Sequence, residues 1–127
     1  MIRVAIADDH PELRLALRLM LHLSKDIKVV CEKGDGQEAV DCVQQLQPDV
    51  LVMDIQMPVL NGLEATRQIV QLSLPTRVIL ISSYHERFFV RQAAEVGAKG
   101  FVLKDDVPRF LLQAIEAVQR GELFFKD

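Results

Sequence analysis

Cysteine is scarce in this chain of 127 residues: only Cys31 and Cys42 occur. They form neither a CxxC pair nor a Cys/His cluster and read as small buried hydrophobes in a reducing cytoplasm. Long apolar runs are missing too. Arg, Lys, Asp or Glu interrupts every stretch before the roughly 20 residues that a membrane span requires. The N-terminus, Met-Ile-Arg-Val-Ala-Ile-Ala-Asp, enters a folded pattern at once and lacks the architecture of a signal peptide. A basic excess is also lacking, because 15 Lys and Arg face 18 Asp and Glu for a net charge of −3. A duplex-binding module normally carries a basic stripe, so this segment is not expected to bind DNA by itself. There are no internal repeats, low-complexity tracts or linkers, and residues 1–127 read as one cytoplasmic domain.

What remains is an ordinary globular balance, half apolar and about a quarter charged, in a chain long enough to bury a core. Short Val- and Ile-rich runs alternate with longer stretches of helical spacing. The strand candidates are Ile2–Asp8, Ile27–Lys33, Asp49–Ile55, Arg77–Ser83 and Gly100–Lys104. Val4 to Ala7, Val50 to Met53 and Val78 to Ile81 are continuously apolar, as parallel strands covered on both faces must be. Pro11 suits a first helical turn, followed by Leu13, Ala16, Leu17, Met20 and Leu21 on one face. Gln37–Leu46 repeats the stripe through Ala39, Val40, Val43 and Leu46, and Pro48 stops it. Asn61 is a candidate N-cap for Gly62–Leu72, with Pro75 just beyond. Glu86–Val96 ends at Gly97, and Pro108 opens a last helix with Leu111, Ala114, Ile115 and Val118 as its core face. Five βα units in succession predict an α/β fold: an open five-stranded parallel sheet with helices on both faces.

In such sheets ligands bind beyond the carboxyl ends of the strands. The first strand ends in Asp8-Asp9, the third in Asp54, the fourth in Ser82-Ser83 and the fifth in Lys104. Taken alone, each is unremarkable: an Asp there caps a helix or makes a turn, a Lys is solvated, and a Ser is a turn residue. Together they bring three carboxylates, a hydroxyl and an ammonium to one rim. Clustered carboxylates repel and raise one another's pKa values, and a hard divalent cation such as Mg²⁺ relieves this. No His/Cys set with zinc spacing competes, since His10, His22 and His85 are scattered. A carboxylate beside Mg²⁺ can act as the nucleophile that forms an aspartyl phosphate. A metal, an ammonium and a hydroxyl are the groups that stabilise the phosphoryl group in transfer.

Ala7-Asp8-Asp9-His10, Met53-Asp54-Ile55-Gln56-Met57-Pro58, Asn61-Gly62, Ile81-Ser82-Ser83 and Gly97 to Asp105 carry a family resemblance. Over essentially its whole length the chain resembles the response-regulator receiver domains of two-component signalling. The resemblance implies a flavodoxin-like sheet in the order 2-1-3-4-5. It makes Asp54 the phosphoacceptor, with Mg²⁺ held by Asp9, Asp54 and the Gln56 carbonyl, and by Asp8 chiefly through water. Lys104 would contact the phosphoryl oxygens, Ser82 would be the switch hydroxyl, and Phe101 the aromatic that changes rotamer with it. Read from the residues alone, Phe101 is at first sight only a core side chain. Gly62 would permit a close backbone approach after Asp54, and a simple turn glycine is compatible with this.

The Lys104-Asp105 pair, the Gly-Ala-Lys-Gly-Phe run and Ile115 to Glu122 are similar to the NarL/FixJ branch. That branch implies a sensor histidine kinase as phosphodonor and a LuxR-type helix-turn-helix output domain, which alone would contact DNA. Such an output domain is expected to be absent from residues 1–127 because it has been removed, rather than the chain being a stand-alone receiver. Leu123-Phe124-Phe125 would then dangle. The resemblance implies self-catalysed phosphoryl uptake and slow loss, not an enzyme that turns over. An aspartyl-phosphate phosphatase would need an acid two residues after its nucleophile, where this chain has Gln56. A degenerate receiver serving only as an interaction module is a further rival, although every expected polar position is filled.

Two apolar features exceed the core stripes. Leu15, Leu19 and Leu23 form a row on the first helix, and Phe110 and Leu112 lie off the stripe of the last. They fit a homodimer through the first and last helices or docking of an output domain, with deeper burial in the monomer as the alternative. Tyr84, His85, Phe88 and Phe89 form a second cluster beside Ser82 and Phe101.

Overall fold

The computed structural model describes residues 1–83 and 87–125. Strands and helices alternate as the periodicity predicts: β1 (Ile2–Ala7), α1 (Pro11–His22), β2 (Ile27–Lys33), α2 (Gly36–Leu46), β3 (Val50–Asp54), α3 (Gly62–Gln71), β4 (Arg77–Ser82), α4 (Arg87–Glu95) and β5 (Gly100–Leu103). A single 3₁₀ turn (Lys104–Asp106), α5 (Val107–Gln119) and a two-residue strand β6 (Phe124–Phe125) complete the order. Every strand pair is parallel, in the order β2-β1-β3-β4-β5-β6.

Because strand side chains alternate, the sheet has two apolar faces. Val4, Ile6, Val50, Val52, Ile79, Ile81 and Val102 pack against α1 and α5. Ala5, Ala7, Leu51, Met53, Leu80, Phe101 and Leu103 pack against α2, α3 and α4. The helices start where side chains can satisfy their first N–H groups. The Asp35 carboxylate accepts from Glu38 N at 2.8 Å, and Asn61 Oδ1 accepts from Glu64 N at 2.9 Å. Gly97, at φ 99°, ends the fourth helical segment as an αL residue, with Ala98 N donating back to Ala93 O.

The structure corrects several expectations. A sixth strand extends the predicted five. Phe124 and Phe125 do not dangle, because Phe124 N donates to Lys99 O at 2.9 Å and the Phe124 ring packs 6.4 Å from that of Phe110. Half-burial of these rings outweighs the cost of ordering a short tail. Asp8, Ile55, Ser83 and Lys104 fall one residue past their strands rather than within them. Ala16 and Leu46 are exposed, since each lies at the edge of its helix's buried stripe. Leu15, Leu19 and Leu23 are 44%, 56% and 84% exposed, so deeper burial within the monomer does not account for them. Phe110 is half-buried under β6, while Leu112 is exposed. Among the described residues, no helix is long and apolar enough to cross a membrane.

Candidate functional site

Strand geometry aims the polar residues at one rim. β1 stops at Ala7, and Asp8 N still donates to Lys33 O at 3.0 Å, which fixes the Asp8 backbone to the end of β2. Asp8 is fully buried and Asp54, the last residue of β3, is 3% exposed. Lys104 opens the 3₁₀ turn after β5 and reaches back across the rim. Its Nζ donates to Asp54 Oδ2 at 2.9 Å and lies 3.3 Å from Asp8 Oδ2. The predicted convergence of β1, β3 and β5 ends is therefore present in space. Asp9 is more open, and its Oδ1 sits 3.1 Å from His10 Nδ1. Gln56 is exposed, and its backbone N–H donates to Asp54 Oδ1 at 3.1 Å.

Two buried carboxylates share one ammonium, and the electrostatics follow. Burial pushes the Asp54 carboxyl above its ordinary value; the Lys104 bond and charge oppose this, while Asp8 adds repulsion. For Lys104, burial opposes the charge, but the hydrogen bond and attraction of Asp54, helped by Asp8, outweigh it and raise the pKa. The cluster is thus short of positive charge. Asp8 Oδ2 is buried without a hydrogen-bond partner, its contact with Lys104 being an ion pair without hydrogen-bond alignment. One ligand atom from each of Asp8, Asp9, His10 and Asp54 falls within 4.8 Å of the others. An oxygen-rich donor set with an under-satisfied buried carboxylate fits a hard divalent cation.

The loop after β3 forms the outer wall. A Cβ on Gly62 would meet Asp54 O at 2.3 Å, so only glycine lets α3 start against the Asp54 peptide. A Cβ on Gly36 would meet Leu60 O at 1.9 Å, which seats the same loop on α2. Between these supports Val59 turns at φ 69°, with Leu60 N donating to Pro58 O at 2.7 Å, a γ-turn that strains a β-branched residue. A groove of about 510 Å³ lined by Asp9, Gln56, Met57, Pro58, Asn61 and Phe89 opens beside the carboxylates.

Ser82 is buried at the end of β4 and pairs in register with Leu103, one residue before Lys104. Phe101 is fully buried and pairs with Leu80 in the face covered by α2, α3 and α4. Phe88 and Phe89 pack edge to face with centroids 5.5 Å apart, and the Tyr84 and His85 of that cluster lie outside the described residues. Two contacts escaped sequence reasoning. Arg14 Nη1 donates to Asp8 O at 2.6 Å, tying α1 to the rim. His10, set aside as scattered, places Nδ1 3.1 Å from Asp8 Oδ1 as well as from Asp9. Its position next to the acid pair was the available signal.

An open parallel sheet thus carries acids and a lysine together at its carboxyl rim, with a buried serine at the end of β4. Comparison with known proteins makes the family explicit: residues 4–116 match the response regulator receiver domain family, and the chain belongs to it. It is 37% identical over 125 residues to the uncharacterized transcriptional regulatory protein YxjL of Bacillus subtilis, covering 98% of this chain and 57% of that protein. It is 32% identical to the nitrate/nitrite response regulator protein NarL of Escherichia coli, again over 98% of this chain and 57% of that protein. The chain therefore spans a little over half the length of these curated relatives. Among solved structures, a LuxR-family two-component response regulator from Aurantimonas superposes with a TM-score of 0.93 at 35% identity, covering 98% of this chain and 89% of that one. The isolated REC domain of RcsB from Salmonella enterica, with the phosphomimetic BeF₃⁻, gives 0.89 at 26% identity over 99% and 94% of the two chains. The chain is thus a response-regulator receiver domain, similar to those of NarL- and LuxR-type regulators.

Proposed function

We propose that this receiver takes a phosphoryl group on Asp54 from a sensor histidine kinase and passes the signal to a DNA-binding, LuxR-type output domain outside residues 1–127. The observation that carries the reading is the buried Asp54 carboxylate, 2.9 Å from Lys104 and backed by the buried Asp8. An Asp54 oxygen attacks phosphorus as the bond to the donor's imidazole breaks, leaving an acyl phosphate. Lys104 exchanges its bond to Asp54 Oδ2 for one to a phosphoryl oxygen, and Ser82 turns its hydroxyl to another. Phe101 follows Ser82 as a rotamer switch, and the signal is a population shift between two arrangements of β4 and β5. Asp9, Asp54 and the Gln56 carbonyl, with Asp8 through water, would hold Mg²⁺, which neutralises carboxylate and phosphoryl charge when bound. Gln56 offers no acid or base for hydrolysis, so loss of the phosphoryl group is slow.

The exposed Leu15, Leu19 and Leu23 row, with Leu112 on α5, supports self-association through α1 and α5 in the phosphorylated state. Sedimentation that finds only monomer at high concentration, with and without a phosphoryl mimic, would remove this part. The reading as a whole is tested by intact-mass spectrometry after incubation with Mg²⁺ and acetyl phosphate. One phosphoryl adduct is expected, labile at alkaline pH and absent from Asp54→Ala and from EDTA controls. An undiminished adduct in Asp54→Ala would falsify the assignment of the acceptor.

A further inference from the structure

In sequence, nothing in the spacing of His10, His22 and His85 joins His10 to a metal site. In space its ring lies on the acid cluster, with Nδ1 at 3.1 Å from both Asp8 Oδ1 and Asp9 Oδ1. The ring is not consumed elsewhere: His10 is the N-cap residue of α1, yet its side chain makes no capping bond. At 67% exposure the imidazole is open to solvent on its other sides. A separate observation shows acceptor capacity to spare. Asp8 Oδ2, buried at the floor, has no hydrogen-bond partner, and the Lys104 ammonium is shared between it and Asp54. With His10 counted, the mutually close ligand atoms comprise three carboxylate oxygens and one imidazole nitrogen.

That donor set is not neutral among metals. Mg²⁺ prefers oxygen and dehydrates reluctantly, whereas imidazole favours the later first-row ions, whose affinity for mixed nitrogen and oxygen sites rises toward the end of the row. We propose that His10 makes the acid pocket a mixed nitrogen–oxygen site that binds Zn²⁺ or Co²⁺ through its imidazole and the neighbouring Asp8, Asp9 and Asp54 carboxylates, in competition with Mg²⁺. The inference rests on the reading of the acid cluster as a metal site and adds which ions it selects. Because the same carboxylates serve both kinds of ion, the receiver's metal occupancy becomes sensitive to transition-metal load.

The test is calorimetric titration of the whole 127-residue chain with Zn²⁺, Co²⁺ and Mg²⁺ in turn, for wild type, His10→Ala and Asp9→Asn. His10→Ala is expected to weaken Zn²⁺ and Co²⁺ about tenfold or more, as loss of a ligand does, while leaving Mg²⁺ within about twofold. Asp9→Asn is expected to weaken all three. Long-range ¹H–¹⁵N spectra of the wild type should show the His10 ring nitrogens shifting with Zn²⁺ and staying in place with Mg²⁺, which a purely structural histidine would not do. Unchanged Zn²⁺ affinity in His10→Ala overturns the inference, as does Zn²⁺ binding that survives Asp9→Asn, which would place the ion elsewhere. Equal losses for Zn²⁺ and Mg²⁺ in His10→Ala would reduce His10 to a structural part. With normal Mg²⁺ binding these failures leave the proposed switch intact; absent Mg²⁺ binding in the wild type would bring down both.

Discussion

The two rims of this sheet are built on opposite terms. At the amino rim the strand starts are tied by polar pairs. Asp49 Oδ2 accepts from Arg3 N at 2.8 Å, Asp49 N donates to Arg3 O at 2.8 Å, and Arg77 N donates to Asp49 O at 3.0 Å. Thr76 Oγ1 donates to Pro48 O at 2.6 Å, and Arg3 Nη1 to Gln47 O at 3.1 Å. Charges there serve to tie strand starts together. At the carboxyl rim two buried carboxylates face one ammonium, a buried oxygen lacks a hydrogen bond, and Val59 sits in a strained turn. One rim uses its charges to tie backbone together and the other crowds two buried carboxylates on one ammonium, in the same sheet. Local stability is given up where a ligand or a phosphoryl group would complete the set.

The largest expected effect lies at the carboxyl rim. Gly62→Ala puts a methyl group against the Asp54 backbone, where nothing flexible can yield, and should destabilise by about 3 kcal/mol while abolishing phosphoryl uptake. Chemical denaturation and the mass assay check both; a variant of near wild-type stability would show that the loop seat is soft. Next comes Asp54→Asn, which should stabilise the metal-free protein by about 1–2 kcal/mol at neutral pH by removing one of two crowded buried charges. The sign follows from a folded-state pKa raised above the ordinary 3.8. The protonated carboxyl gives its full stability below that value and loses it as pH rises through the folded pKa. The gain of Asp54→Asn should therefore vanish in acid. Mg²⁺ should narrow it, because the wild type alone regains a complete ligand set. A gain that is flat with pH would mean that charge crowding is not its source.

At the amino rim the prediction runs the other way. Thr76→Val removes the hydroxyl bonded to Pro48 O and should cost about 1–2 kcal/mol without altering phosphoryl uptake. Loss of uptake there would erase the contrast between the rims. The smallest effect is expected from Val59→Gly. Relief of the positive φ and the added freedom of the unfolded chain work against each other, leaving a net gain of about 1 kcal/mol or less. A clear loss of stability in a melting experiment would show that the Val59 side chain contributes contacts its 80% exposure does not suggest.

A second contrast concerns sulfur, which the rims do not use. Cys42 lies on the buried face of α2, and burial, with Cys31 nearby, pushes its thiol up to about 12 from 9.0. The neutral thiol is stable in the fold at all ordinary pH, so this contribution is complete below 9 and lost as pH rises toward 12. Cys42→Ala should flatten the alkaline fall in melting temperature; an unchanged fall would assign it to other groups.

Much of this molecule is legible in one dimension. Val4 to Ala7, Val50 to Met53 and Val78 to Ile81 announce doubly covered parallel strands, because only a fully buried strand tolerates apolar residues on both faces. The acid pair, Asp54, Ser82 and Lys104 stand out because a parallel βα order sends every strand's carboxyl end to the same rim. Capping by Asn61 and the stop at Gly97 are equally local, set by backbone N–H groups and φ. What the chain could not show by itself depends on distance in space. β6 exists because the Phe124 ring finds Phe110, Phe125 packs on the other face of the sheet, and both pair with the open edge of β5, a gain invisible in a two-residue run. The exposure of Ala16 and Leu46 depends on how each helix rolls on the sheet. Gly36 is needed because the Leu60 carbonyl, far along the chain, passes over it. His10 joined the acids only when α1 was seated. Periodicity and strand-end chemistry are properties of neighbours in sequence; the edge strand, the roll of the helices and the shared ammonium are decided by which surfaces meet.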